Sequence, residues 1–309
     1  MKKSIIIDCD PGHDDAIELL LALADPDVNL LGVCTVAGNQ TIEKTTLNAL
    51  KVLELAGRND INVYRGARKP IIGDLNTASN IHGRSGLDGA LLNVPARTPE
   101  KMGALDFLHN TLANAKKVTI VSTGPITNLA ILLLAYPEVK KNIERVIWMG
   151  GSYSMGNITP EAEFNAYNDP EALKVVLKQN LNFTMVTLDV THKVLFSISD
   201  IERIKNMHNK ISDPISELLL YFYKMYEQNF ALGGVPIHDA CALAEAIHPG
   251  IITTGKFYVD IDTSDTLSRG RTIVDLYNVI HKQKNALVSL NIDVTSFKEY
   301  LFNILNSYD

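Results

Sequence analysis

Short apolar runs alternate with helix-patterned stretches through the first two-thirds of the chain. This alternation constrains the fold more than any other feature. Residues 4–7 read as a buried strand and 15–24 as a helix, followed by a strand at 30–36 and a helix at 41–56. Short strands are expected at 61–64, 118–122, 146–149 and 183–188, and helices at 99–115 and from TGPITNLA to about 136. Asp169-Pro170-Glu171 starts a further helix, with Asp as N-cap and Pro at the first helical position. Residues 70–97 and 152–168 are rich in turn formers and read as loops. After Asp200 the pattern turns helical to about 246, short strands return between 251 and 290, and 294–306 closes the chain as a helix. Apolar strands alternating with amphipathic helices predict an α/β fold, an open and mainly parallel sheet flanked by helices. No linker or repeat divides the chain, so residues 1–309 are expected to form one domain.

In such sheets, ligands bind beyond the carboxyl ends of the strands. The first strand runs into DCDPGHDDAIELLLAL, where Asp8, Asp10, Asp14 and Asp15 fall within eight residues. Asp8 and Asp10, two apart, would share a face on a strand, with Asp10 at its carboxyl end. A helix N-terminus accommodates one or two of these charges. Four invite a hard divalent cation, which takes carboxylate, carbonyl and water oxygens. The spacing is not that of a calcium-binding helix–loop–helix, so any such ion draws ligands from elsewhere. Thr123, at a strand end, and Asp239, in PIHDACALAEAIHP, are the candidates. Without a metal, the same residues read as helix capping and solvated charge.

Other strand ends carry Asn39, Asn157, Glu163, Asn165 and Asp169. Singly these are ordinary turn residues; converging, they suit a hydroxyl-rich ligand. His82 lies in the loop IHGRSGLDG and His238 directly precedes Asp239, while His13 is expected to be exposed or paired with a carboxylate. In ISELLLYFYKMYEQNF, Phe222, Tyr226 and Phe230 repeat every four residues and share a helix face. That face either packs in the core or forms a wall against a planar base.

Composition narrows the partners. The net charge is −6 and no Lys/Arg cluster suits a phosphate backbone, which argues against nucleic acid. No apolar run approaches the ~18 residues of a membrane span. The first residues, MKKSIIIDCD, hold too few apolar residues for a secretory leader. Three cysteines, each in apolar company, form no disulfide pattern. These features predict a cytoplasmic protein acting on a small molecule.

The stretch DCDPGHDDA resembles the N-terminal signature of the nucleoside hydrolases, the inosine–uridine-preferring group. VAGNQT, IHGRSGL, STGPITNLA, WMGGSYSMGNITPEAEFNAYNDPEA, LDVTHKV and PIHDACALA resemble further segments in family order, reaching from residue 5 to about 250. The resemblance implies a calcium-dependent ribonucleoside N-glycosyl hydrolase. Its Ca²⁺ would be held by Asp10, Asp15, the Thr123 carbonyl and Asp239, with Asp10 also the general base. Asp14, Asn39, Glu163 and Asn165 would hold the ribose hydroxyls, with Asn157 near the 5′-hydroxyl and Met149 lining the pocket. His238 and His82 would lie on the base side, the first matching a proton donor of purine-cleaving members and the second a pyrimidine-associated position. Asp8 and Asp189 match positions that are usually structural. With Tyr223 and Tyr226 on the long helix, the histidine pair favours uridine and cytidine, with inosine as the alternative. Arg84, Ser85 and Asp88 depart from the family pattern in a loop expected to cover the base. The resemblance also implies a homodimer or homotetramer.

Two other classes fit less well. Haloacid-dehalogenase-type phosphatases also open with Asp-x-Asp after a strand, but Pro11-Gly12-His13 replaces their tail. A calcium-dependent nucleoside sensor would not require Asp10 as a base.

Overall fold

The computed structural model describes residues 2–115 and 117–309. Its strands are β1 (Lys3–Cys9), β2 (Val28–Thr35), β3 (Val63–Arg65), β4 (Val118–Ser122), β5 (Ile143–Met149), β6 (Phe183–Val186), β7 (Leu195–Phe196), β8 (Val235–Pro236), β9 (Ile252–Phe257), β10 (Val259–Ile261), β11 (Thr272–Val274) and β12 (Ala286–Ile292). Eight of them form one sheet in the order β3-β2-β1-β4-β5-β6-β12-β9. All pairings in it are parallel except β12 with β9. The expected open, mainly parallel sheet with flanking helices is what the chain forms.

Alternation along β1 sends its side chains to two cores. Ile5, Ile7 and Cys9 join one apolar cluster, with residues of helices His13–Ala24, Ile42–Ala56, Ser212–Asn229, His238–Ile247 and Val294–Leu305. Ile6 joins the other, with helices Ala104–Asn114, Thr127–Ala135 and Pro170–Leu177. Both faces are therefore covered, which explains the apolar richness of β1, β4 and β6.

Local details depart from the sequence reading. β1 ends at Cys9, so the two-residue periodicity does not extend to Asp10. The stretch expected to be helical from 200 to 246 is three helices, Ile198–Lys205, Ser212–Asn229 and His238–Ile247. His208, at φ 55°, breaks the first from the second, and Gly233 at φ 73° and Pro236 separate the second from the third. The two expected loops each contain a short helix, Ser79–His82 and Phe164–Asn168. Asp169 caps helix Pro170–Leu177 as expected, accepting from the Ala172 N–H at 3.0 Å.

The strand order reverses direction between β1 and β4. A crevice opens at such a switch point, outside the strands' carboxyl ends. Asp10 follows β1 and Thr123 follows β4 directly, so the switch point places the two side by side in the topology.

Candidate active site

A cleft lies over these strand ends, where an open α/β sheet places its ligands. Its lining includes Asp14, Asn39, His82, Thr123, Met149, Asn157, Glu163, Asn165, Tyr226, His238 and Asp239. Thus eleven of the fourteen expected site residues share one cavity; Asp10, Asp15 and Tyr223 are not on its wall. Asp10 and Asp15 lie fully buried beneath it. Tyr223 is half-buried and packs on the apolar core. It sits one residue, about 100° of helix, from the Phe222 and Tyr226 face that lines the cleft.

The acidic floor is built by two helix N-termini. Asp14 and Asp15 occupy the first turn of His13–Ala24, and Asp239 the first turn of His238–Ile247, and these helices pack against each other. Carboxylate oxygens of Asp14, Asp15 and Asp239 lie within 4.8 Å of one another. Asp15 Oδ2 accepts from the Gly12 N–H at 2.8 Å and from Asn39 Nδ2 at 3.2 Å. Asp10 Oδ2 accepts from the Asn39 N–H at 2.6 Å. Asp10 Oδ1 and Asp15 Oδ1 are buried with no partner among the described residues. Burial raises Asp14 to about 7 and Asp15 to about 6, and pushes Asp10 and Asp239 well above the carboxylate range. Charge this dense, short of partners and out of water, is what a divalent cation with oxygen ligands relieves. The residues present fit such an ion.

The sequence reading missed Glu18. It is fully buried one turn beyond Asp14 and Asp15, with Oε2 accepting from Thr123 Oγ1 at 2.8 Å and Oε1 unpaired. The i+4 spacing from Asp14 puts it on the acidic face and was available as a signal. Asp8, by contrast, leaves the cluster: its Oδ1 accepts from Asn128 Nδ2 at 2.7 Å, tying β1 to helix Thr127–Ala135. Asp189 is likewise tied to structure, accepting from the Tyr153 N–H at 2.9 Å.

Polar groups around the floor are held rigidly. Glu163 caps helix Phe164–Asn168, accepting from the N–H groups of Asn165 and Ala166, and its Oε2 also accepts from the Gly151 N–H at 2.8 Å. Asn165 Nδ2 donates to the Thr123 carbonyl at 2.8 Å and to the Met149 carbonyl at 3.1 Å. Asn157 Oδ1 accepts from the Phe164 N–H at 2.8 Å. These bonds preorganise a crescent of amide and carboxylate groups at one end of the cleft.

The other end is aromatic. Phe222, Tyr226 and Phe230 line it with His82 and His238. Tyr226 OH is 2.9 Å from His238 Nε2, and Thr191 Oγ1 is 2.7 Å from His238 Nδ1. Burial lowers both His82 and His238 well below the usual histidine range. His13, expected to be exposed or paired with a carboxylate, is instead fully buried, its ring beside Tyr221, Phe222 and His82 and its Nε2 at the Asp88 backbone carbonyl. Gly12 permits this packing, since a Cβ there would meet the His82 ring and Asn39.

Comparison with known proteins agrees with this geometry. The family model for inosine-uridine preferring nucleoside hydrolases matches residues 5–299. The chain is 43% identical over 310 aligned residues to the pyrimidine-specific ribonucleoside hydrolase RihA of Salmonella typhi, covering 100% of each. The RihA of Escherichia coli O139:H28 is 42% identical over the same span. Among solved structures, the purine-preferring ribonucleoside hydrolase from Gardnerella vaginalis superposes with a TM-score of 0.92 at 29% identity, over 98% of each chain. A plant nucleoside hydrolase, PpNRh1, superposes at 0.94 with 28% identity, over 99% of this chain and 100% of its own.

Proposed function

The chain belongs to the inosine-uridine preferring nucleoside hydrolase family and is a ribonucleoside N-glycosyl hydrolase, and on that premise we propose that it cleaves uridine and cytidine with Ca²⁺ in its acidic floor. The observation that carries this reading is the single cleft joining an acidic, orphan-bearing floor to a histidine-containing aromatic end.

Asp10, Asp15, the Thr123 carbonyl and Asp239 would hold the ion, and the unpaired Oδ1 atoms of Asp10 and Asp15 support that assignment. When bound, a hard divalent cation supplies positive charge that acidifies a neighbouring water. Asp10 is the general base, its carboxylate oriented by the Asn39 N–H. Asp14, Asn39, Glu163 and Asn165 bind the ribose hydroxyls, Asn157 approaches the 5′-hydroxyl and Met149 lines the sugar side. Glycosidic cleavage develops positive charge on the sugar. Carboxylates fixed in advance stabilise that charge without reorganising.

Phe222 and Tyr226 offer the leaving base a stacking wall. His238, clamped between Thr191 and Tyr226, is the proton donor, and His82 contacts the base beside it. Pyrimidine preference is supported by this histidine pair and by the likeness to the two RihA enzymes, whose names state pyrimidine specificity. The aromatic wall favours a second reading in which inosine is also cleaved. Specificity constants decide between them. Uridine or cytidine above inosine is expected; inosine about tenfold above uridine, one hydrogen-bond-sized difference in transition-state binding, overturns the preference.

We also assign residues 1–309 to one nucleoside hydrolase domain, a reading the continuous sheet from β1 to β12 supports. Among the described residues no helix is long and apolar enough to cross a membrane. Cys9, Cys34 and Cys241 are buried free thiols, which suits the reducing cytoplasm. The family resemblance supports a homodimer or homotetramer.

A further inference from the structure

His13 belongs to the acidic turn by sequence but to the base end of the cleft by contact. Its Nε2 lies 2.8 Å from the Asp88 carbonyl oxygen, which can only accept. Nε2 therefore carries the hydrogen, and the neutral ring presents a lone pair at Nδ1. That lone pair faces His82 Nδ1 at 3.2 Å. The ring centroids are 5.4 Å apart, with the planes inclined by 27°.

A second group makes the opposite demand. The backbone N–H of His13 points at the same His82 Nδ1 at 3.3 Å. The His13 ring is satisfied when His82 Nδ1 bears a hydrogen; the His13 backbone is satisfied when it bears a lone pair. Neither tautomer of His82 answers both, so each forfeits one interaction and gains the other. His82 Nε2 has no hydrogen-bond partner among the described residues, and His82 lines the cleft. A hydrogen on Nδ1 makes Nε2 an acceptor; its absence makes Nε2 a donor.

We propose that the His13–His82 pair is a tautomeric switch, letting His82 Nε2 meet either a donor or an acceptor on the pyrimidine edge, so that uracil and cytosine are both accepted. This rests on the pyrimidine reading above. The two bases differ by reversed polarity: at position 4 uracil presents a carbonyl and cytosine an amino group. A contact of fixed polarity there rejects one of them, because it leaves a buried polar group unpaired. A contact free to change tautomer rejects neither. His13 is a positioning residue in this account, acting through His82.

Two measurements test it. Long-range ¹H–¹⁵N correlation spectra of the calcium-loaded, ¹⁵N-histidine-labelled enzyme, with His82 assigned from a His82→Asn spectrum, report its tautomer directly. Both His82 nitrogens are expected at shifts between those of protonated and unprotonated imidazole nitrogens. One fully protonated and one bare nitrogen overturns the proposal. His13→Phe keeps the backbone N–H and removes the ring lone pair, fixing His82 with hydrogen on Nε2. The ratio of kcat/KM for uridine over cytidine should then move by at least about tenfold, in whichever direction the contacted edge dictates. An active variant with the wild-type ratio also overturns it. If His13→Phe does not fold, the spectra still decide. Failure of the pyrimidine reading looks different: neither nucleoside releases ribose from the wild-type enzyme, whatever the spectra show.

Discussion

The backbone N–H of Asn39 donates to Asp10 Oδ2 at 2.6 Å, while Oδ1 of the same carboxylate is buried without a partner. The loop after β2 thus fixes the carboxylate that follows β1. Gly38 and Gly124 close around it so tightly that a Cβ on either would run into the carboxylate. Gly38→Ala should displace Asp10. The expected cost is about 10²-fold in kcat/KM, the scale of a misplaced catalytic group, with weaker calcium binding by calorimetry. The overpacking should destabilise the fold by about 1–3 kcal/mol. Unchanged kinetics and affinity would show that this close packing does not position Asp10.

Asp10→Ala removes the proposed base and one proposed ligand together. Turnover and calcium affinity should both collapse while far-ultraviolet circular dichroism stays native. A variant with near-normal activity removes Asp10 from both roles.

The clamp on His238 yields a separate prediction. His238→Ala should lower kcat/KM on the preferred nucleoside by roughly 10²–10⁴, the usual range for general acid–base catalysis. Tyr226→Phe deletes only the hydroxyl 2.9 Å from His238 Nε2 and should lose a smaller part of the same factor. A His238→Ala loss under about threefold, far below that range, takes the residue out of the proton-donor role.

The acidic floor makes cation binding pH-dependent. Burial raises Asp14 to about 7 and Asp15 to about 6 in the cation-free chain. A carboxyl group with a higher pKa folded than unfolded holds its proton more tightly when folded. Its contribution therefore falls as pH rises from about 4 through the folded value. Buried His13, lowered to about 4, works oppositely: its contribution is present above about 6.5 and is lost as pH falls. The difference in Tm between calcium-loaded and chelated protein isolates the floor. That gain should be small near pH 5 and grow to about pH 7.5, as the carboxyls give up protons to bind the ion. A pH-independent gain contradicts the assignment.

Much of this was legible in the sequence, because periodicity reports burial and the acidic turn reports charge. The run Ile5-Ile6-Ile7 marks a strand covered on both faces, and Asp169-Pro170 marks a helix start; both hold. What escaped depends on contacts between distant segments. His13 reads as polar in a polar turn, yet the Asp88 carbonyl and the rings of Tyr221 and Phe222, far along the chain, bury it. Glu18 reads as one polar position in an apolar helix; its spacing from Asp14 was the one local signal, and its partner Thr123 comes from the end of β4, far along the chain. Tyr223 shared a sequence stretch with Phe222 and Tyr226 but not their helix face.

The central claim is that one cleft hydrolyses pyrimidine ribonucleosides and needs a divalent cation in its floor. The most direct test is ribose release from uridine, cytidine and inosine, by the enzyme as isolated, after exhaustive chelation, and after calcium is restored. The account predicts ribose from uridine and cytidine above inosine, loss on chelation and recovery with Ca²⁺. Folded, calcium-loaded protein that releases ribose from none of them would contradict it.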